Sequence, residues 1–174
     1  MTIVGHSLVA TTLAILFTPA SRTVREKALF IGVFVFAAHI PDLPVPGWGH
    51  WQYHISHSIM VNMVLMVSTV MLLCYLKYIK IGGSYRIVIG ALVAWLSHFL
   101  LDSLYNHGNG IGIYWPFSDN KLTLPLPWFA TLQNSPSVLS QHNLKVFFME
   151  FLLYFPVFLT VFFIRRLYLK MNSD

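Results

Sequence analysis

Histidine and carboxylate residues recur in this sequence at spacings that would bring their side chains together. His98 and Asp102 are four residues apart, so in a helix they project from one face and can reach a common ion. His54 and His57 are three residues apart and become neighbours if their segment is helical. Imidazole nitrogen and carboxylate oxygen are the ligands of catalytic zinc sites. The pattern therefore predicts a divalent metal site, with zinc expected and manganese or iron as alternatives.

Other candidate residues lie at the ends of predicted helices or inside apolar runs. His39 and Asp42 flank Pro41, and proline disfavours helix for the residue before it, so a helix should end there. His6 lies within the first apolar stretch, and Glu150 interrupts a run of aromatic and aliphatic residues. An ionisable group at membrane depth is costly unless it is paired, coordinated or hydrated. These residues are therefore candidates for function.

The elements that must position these residues are apolar. Of 174 residues, 56% are hydrophobic and only 10% are charged, and the mean hydropathy is +0.66. A soluble domain has about 25% charged residues, so the composition excludes both an ordinary soluble domain and a disordered chain. The net charge of +5 accompanies no nucleic-acid motif, and we predict no nucleic-acid partner. The single cysteine, Cys74, excludes a disulfide framework and a thiolate metal site.

Five apolar stretches predict an all-α, polytopic membrane bundle that forms one domain over residues 1–174. A helix needs about 20 residues to cross a bilayer. The third and fifth stretches reach that length, and the fourth does so if it runs from Tyr85 to Tyr105. The first two are short, and could be tilted, re-entrant or packed inside the others. The first has no lysine or arginine before its apolar core, as a signal peptide would, and is expected to be retained. The stretches are Ile3–Phe17, Ala28–Ile40, Ile59–Leu76, Ile87–Leu101 and Val146–Ile164.

Five crossings would separate the basic residues from the candidate ligands. Nine of the eleven lysines and arginines would lie on the side of the C-terminus, which the positive-inside rule assigns to the cytoplasm. All eight histidines, and every carboxylate except Glu26 and Asp174, would lie on the other face. This clustering predicts a site on the non-cytoplasmic face. The nine residues are Arg22, Arg25, Lys27, Lys77, Lys80, Arg86, Arg165, Arg166 and Lys170.

Most of these residues also have a simpler interpretation. An intramembrane histidine can be a hydrogen-bonding packing residue, and His98 with Asp102 could be a neutral hydrogen-bonded pair. Asp42 after a proline can simply turn the chain. His50 and His107, in loops, could be exposed to water. The shared depth and face of the whole set is what favours a functional site.

Several short segments occur in a characteristic order: residues 5–7, 39–43, 57–58, 97–102 and 115–119, followed by Glu150. This order resembles the LexA-regulated, YdjM-type family of bacterial inner-membrane, metal-dependent hydrolases. The resemblance runs from His6 to Glu150, and its most specific parts are Ser97–Asp102 and Trp115–Asp119. It implies a multi-pass enzyme of the bacterial inner membrane.

The order of ligands is also similar to that of zinc-dependent phospholipases C and related single-strand nucleases. On that pattern the core metal ligands would be His6, Asp42, His57, His98 and Asp102. His142 and Glu150 would complete a further metal position, with His107 beside them. This chain departs from the family at Pro44, where a second acid is common, and in residues 52–58, which lack an arginine; His39 and His54 are then extra candidate ligands.

The resemblance implies hydrolysis of a phosphoester or phosphoanhydride. A site at the headgroup boundary would meet lipid headgroups before soluble solutes, which indicates a lipid or lipid-linked substrate. The bound metal would activate water and polarise the scissile bond. Asp42 or Asp102 would bridge two ions, and Asp42 or Glu150 would act as general base. Asp119 would orient a ligand histidine or a loop residue. An external loop containing Trp115 and Trp128 is expected to cover the site at the headgroup boundary.

Two other classes of protein remain open from the sequence. A haem protein would use His39 or His57 with His98 as axial ligands, and would leave the carboxylates without a role. A metal-ion or proton transporter would line a path with the same residues, but would need ionisable groups at the midplane and on both faces. The sequence makes no prediction of the oligomeric state.

Overall fold

The computed structural model describes residues 1–43, 46, 53–76, 85–105, 110–124, 130–132 and 139–172. Within these ranges the regular secondary structure is helical, and residues 110–124 form turns with one isolated antiparallel bridge between Ile111 and Leu122, which confirms the predicted all-α class. Pro44, His50, Lys77, Lys80, His107 and Trp128 lie outside the described residues. The helices are α1 (Ile3–Phe17), α2 (Val24–His39), α3 (Tyr53–Ser56), α4 (Ile59–Leu76), α5 (Tyr85–Ser103) and α6 (Gln141–Met171), and a 3-10 turn at Ile40–Asp42 follows α2.

Three of the described helices are long and apolar enough to cross a membrane. They are α4, α5 and α6, with 18, 19 and 31 residues. The 15 residues of α1 and 16 of α2 extend about 22–24 Å at 1.5 Å per residue, less than the roughly 30 Å of the hydrocarbon core. These are the two stretches that the sequence indicated to be short. Helix α2 begins at Val24 because Thr23 and Glu26 form a capping box within the polar segment.

Helix α1 is packed among the other helices. It contacts α2, α5 and α6, and α2 also contacts α5. Small residues at these crossings are fully buried: Ala10 and Ala14 of α1, Ala38 of α2 and Ala94 of α5. Small side chains let helices approach closely in lipid, where the hydrophobic effect does not drive their association. The first apolar stretch is therefore packed against the other helices of the bundle.

Helices α4 and α6 direct apolar side chains away from the bundle. Val67 and Leu72 of α4, and Leu152, Val157 and Phe163 of α6, are exposed. An apolar surface of this extent is unfavourable in water and matched in a bilayer. The helices therefore leave a lipid-compatible exterior, while the polar groups collect inside the bundle.

Candidate metal centre

Four side chains from three separate segments converge at one end of the bundle. Asp42 belongs to the 3-10 turn after α2, His57 to the turn between α3 and α4, and His98 and Asp102 to α5. One donor atom from each lies within 4.8 Å of the other three. His57, His98 and Asp102 are buried, whereas the side chain of Asp42 is 31% exposed. The group is therefore enclosed by protein and reaches the surface at Asp42.

The distances between the donor atoms fit a tetrahedral ion. His57 Nε2 lies 3.2 Å from His98 Nε2, 3.4 Å from Asp42 Oδ1 and 3.5 Å from Asp102 Oδ2. His98 Nε2 lies 3.7 Å from Asp42 Oδ1 and 3.3 Å from Asp102 Oδ2. Tetrahedral zinc with bonds of about 2.0–2.1 Å holds its donor atoms about 3.3 Å apart. These five separations all lie within about 0.4 Å of that spacing.

Both central histidines have their second ring nitrogen held by a backbone carbonyl. His98 Nδ1 lies 2.8 Å from the carbonyl oxygen of Ala38, and His57 Nδ1 lies 3.0 Å from that of Tyr53. A carbonyl oxygen can only accept, so Nδ1 carries the proton in each neutral ring and Nε2 keeps a free lone pair. This orientation is the one that metal-ligating histidines adopt.

The pKa values of Asp42 and His57 are shifted in opposite directions. Burial opposes ionisation of Asp42, but hydrogen bonds from His57 and Tyr53 and the charge of His98 hold the pKa of Asp42 well below its ordinary value. Burial alone would lower the pKa of His57, but hydrogen bonds to Asp102 and Asp42 and their negative charges raise it to about 9. Without an ion, a proton on His57 therefore offsets part of the carboxylate charge.

Asn62 and Trp95 hold the segment that carries His57, and the sequence analysis did not identify them. Asn62 Nδ2 donates to the carbonyl oxygens of Ser56 and Ser58, at 2.7 and 2.8 Å. Asn62 Oδ1 accepts from Trp95 Nε1 at 2.8 Å, and both side chains are buried. The available signal was a single amide inside the apolar stretch 59–76, because such a group in a membrane segment needs partners.

His6 lies against the opposite oxygen of Asp102. His6 Nε2 is 3.1 Å from Asp102 Oδ1, and its ring stacks on that of His98 with centroids 4.1 Å apart. The amino group of Met1 is 2.6 Å from the same oxygen. His6 Nδ1 is buried and has no hydrogen-bond partner in the described part of the chain. Asp102 thus faces His57 and His98 with one oxygen and His6 with the other.

Three further predicted ligands have other contacts and lie outside the four-residue group. His39 Nε2 is 3.2 Å from Ser7 Oγ, although the His39 ring lies 5.6 Å from that of His6. The ring of His54 packs against Trp115. His142 Nε2 donates to the carbonyl oxygen of Thr131 at 2.9 Å.

Glu150 contacts the beginning of α1. Its carboxylate accepts hydrogen bonds from the backbone N–H groups of Thr2 and Gly5, at 2.8 and 2.9 Å, and from the Thr2 hydroxyl. Glu150 is fully buried, and a Cβ atom at position 5 would lie 2.9 Å from its Oε2, so glycine permits this approach. A carboxylate at a helix N-terminus satisfies otherwise unpaired N–H groups and interacts favourably with the helix dipole. These contacts give Glu150 a structural role.

A cavity of about 440 Å³ opens beside His57. The bridge between Ile111 and Leu122 folds one wall of it, and Gly110 before this bridge has φ +83°, in the left-handed region that glycine favours. The hydroxyl of Tyr53, which lines the cavity, donates to Asp42 Oδ1 at 2.5 Å. Side chains of both charges line the remainder, with Asp119 and Lys121 near Trp115. The cavity therefore offers polar contacts to a substrate next to the four donors.

Comparison with known proteins places the chain among inner membrane proteins. It is 26% identical over 148 residues to inner membrane protein YbcI of Escherichia coli (strain K12), a match that covers 82% of this chain and 81% of YbcI. No solved structure matches. The profile of the family described as YdjM inner membrane protein matches residues 1–168. This chain therefore belongs to the YdjM inner membrane protein family.

Proposed function

We propose that this protein is a membrane-embedded, metal-dependent hydrolase that cleaves a phosphoester or phosphoanhydride of a lipid or lipid-linked substrate. The observation that carries this proposal is the convergence of Asp42, His57, His98 and Asp102 at near-tetrahedral spacing. Metal binding explains why two histidines and a carboxylate are buried together at this end of the bundle.

The donor set and its spacing favour zinc over manganese or iron, which prefer higher coordination numbers. His57, His98 and Asp102 would hold the ion from the buried side. When bound, such an ion supplies Lewis acidity and lowers the pKa of a coordinated water. Asp42, at the exposed edge and oriented by the Tyr53 hydroxyl, would be the ligand that leaves a position for water, and its carboxylate would then be the nearest acceptor for a proton of that water. His6 and the second oxygen of Asp102 offer donors for another ion.

The cavity supports an anionic, lipid-like substrate. Lys121 brings an ammonium group to a cavity that also reaches His57, and lysine binds phosphate as a point charge where the family arginine is missing. Trp115 lines the same cavity, and Phe117 beside it is 79% exposed. Aromatic side chains of this kind are enriched at the headgroup boundary. Asp119, in the same wall, is suited to orienting a cavity residue.

The distribution of lysine and arginine supports a multi-pass orientation with the metal centre on the non-cytoplasmic face and the C-terminus in the cytoplasm. Along α6, Glu150 and Arg165 are separated by 15 residues, or about 22 Å, so the helix itself separates the two ends. The three long apolar helices would cross the bilayer in this arrangement, and α1 lies alongside α6 between the levels of Glu150 and Arg165.

The geometry favours a hydrolase over the two alternatives. Two histidines that bind haem iron from opposite sides would each need a metal–nitrogen bond of about 2.0 Å, so their nitrogens would be about 4 Å apart. His57 Nε2 and His98 Nε2 are 3.2 Å apart, and two carboxylates lie beside them. A transporter would need donors along a path, whereas the four donors lie within a single group.

Elemental analysis of the protein purified in detergent tests the metal assignment. We expect bound zinc in the wild type, and its loss in His98→Ala and Asp102→Asn. His142→Ala is the matched control, since its imidazole lies outside the four-residue group and should leave the zinc content unchanged. Zinc retained in both ligand variants would contradict the metal site.

Mass spectrometry of the products from a panel of lipid phosphomonoesters, phosphodiesters and diphosphates tests the reaction, because cleavage of a diester leaves a monoester and not free phosphate. We expect activity that disappears with chelator, returns with zinc and is absent from His98→Ala. A protein that binds zinc at these residues but cleaves none of the panel would contradict the reaction while leaving the metal site intact.

A further inference from the structure

A second cavity lies at the other end of α1, far from the candidate metal centre. It encloses about 430 Å³ between the end of α1, the beginning of α2 and the last turns of α6. Thr18 lines it and is twelve residues from His6, which corresponds to about 18 Å along the helix axis. Its walls are largely apolar and include Ile15, Ile31, Phe158, Phe162 and Leu169.

Three cations also line this cavity: Lys27 of α2, and Arg165 and Arg166 of α6. Among the described residues, none of them forms a salt bridge with a carboxylate. The neighbouring carboxylate of Glu26 is 2.8 Å from Arg22 instead. Arg86 of α5 lies within electrostatic range of Arg165 and adds positive charge. The described residues therefore gather positive charge at the cavity and pair no carboxylate with Lys27, Arg165 or Arg166.

Arg165 is held in place by two backbone carbonyls and keeps further N–H groups for another acceptor. Its Nη1 donates to the carbonyl oxygen of Leu16 at 2.6 Å, and its Nη2 donates to that of Thr18. Arginine has five N–H donors, so these two bonds leave three for another acceptor. The hydroxyl of Thr18 is buried and has no hydrogen-bond partner in the residues that the structure describes. Fixed donors, a buried unpartnered hydroxyl and apolar walls therefore meet at one place.

We propose that this cavity binds an anionic phospholipid, with an acyl chain against the apolar walls and the phosphate against Lys27, Arg165 and Arg166. Basic pockets between membrane helices recognise anionic headgroups in this way. A free phosphate would pair with the cations but would leave the apolar walls without a partner. The combination of cations and apolar walls therefore favours a lipid. The site is separate from the proposed hydrolase centre and does not depend on the reaction there.

Native mass spectrometry of the detergent-purified protein, titrated with short-chain phosphatidylglycerol or phosphatidylcholine, tests this proposal. We expect preferential retention of phosphatidylglycerol. Lys27→Gln and Arg166→Gln should each weaken its binding about fivefold, and the double variant about 25-fold, with phosphatidylcholine unaffected. Ala20→Phe, at an exposed position of the cavity wall, should also weaken binding by occupying space. Arg165 is left intact because it also holds the end of α1.

Arg25→Gln is the matched control, since Arg25 is exposed on the same turn of α2 and does not line the cavity. It should bind phosphatidylglycerol as the wild type does, and each variant should show the wild-type unfolding temperature. Equal retention of the two lipids, or unchanged phosphatidylglycerol binding in the double variant, would overturn the proposal. Displacement of the lipid by inorganic phosphate at similar concentrations would identify a free-anion site instead and would also overturn it.

Discussion

Replacing Glu150 with glutamine distinguishes a role in stabilising α1 from a role in binding metal. The carboxylate accepts hydrogen bonds from the N–H groups of Thr2 and Gly5 and from the Thr2 hydroxyl. Glutamine has one acceptor oxygen, and its amide group donates, so at least one of the three bonds is lost. A hydrogen bond to a charged group contributes about 1.5–3 kcal/mol. We therefore expect the free energy of unfolding to fall by about 2 kcal/mol and Tm to fall by roughly 4–8 °C.

Thermal unfolding of the detergent-purified protein, followed by tryptophan fluorescence with zinc and with chelator, measures this effect. The decrease in Tm should be the same in both conditions, with zinc content unchanged. Glu26→Gln is the control, because Glu26 also lies at a helix N-terminus but is only partly buried, and the decrease in Tm should be smaller. A Glu150→Gln protein with normal Tm and no zinc would refute the structural role and identify Glu150 as a ligand.

Asn62→Leu should weaken zinc binding about 10–100-fold, because Asn62 holds the segment that carries His57. Competition with a chelator measures this affinity, and a wild-type value would contradict the prediction. Zinc binding at pH 7 should release about one proton, since the pKa of about 9 keeps His57 protonated in the metal-free protein and zinc binds neutral imidazole. The affinity for zinc should thus weaken as pH falls. Calorimetry in two buffers with different ionisation enthalpies measures the released proton, and equal binding enthalpies in the two buffers would show that His57 was already neutral. Gly5→Ala should destabilise the protein by about 1–3 kcal/mol, because the added Cβ would lie too close to Glu150. Gly32→Ala is the control in the same Tm assay: its Cβ would meet nothing within 4 Å, so it should be neutral or slightly stabilising.

Local spacing was sufficient to anticipate the contact between His98 and Asp102. The four-residue interval on α5 brings His98 Nε2 within 3.3 Å of Asp102 Oδ2. The proline before Asp42 likewise indicated the end of α2, where the structure has a 3-10 turn. Helical class and the two short stretches also followed from composition and length, because the length of an apolar stretch can be compared directly with the thickness of a bilayer.

Contacts between distant segments could not be read from the sequence. Glu150 interacts with Thr2, a separation of 148 residues, and nothing in its apolar surroundings indicates which backbone donors need a carboxylate. Similarly, His142 and His98 look alike as isolated histidines, but one donates to a loop carbonyl and the other meets three further donors. Which role each takes depends on how helices far apart in sequence pack.

The link between Glu150 and α1 also constrains the order in which this protein can mature. The N–H groups of Thr2 and Gly5 are synthesised before the carboxylate that accepts their hydrogen bonds, because Glu150 belongs to α6. Until then the first helix has an unsatisfied end, which is unfavourable inside a bilayer. Nascent chains that stop before position 150 should therefore fail to consolidate and be preferred substrates for membrane proteases.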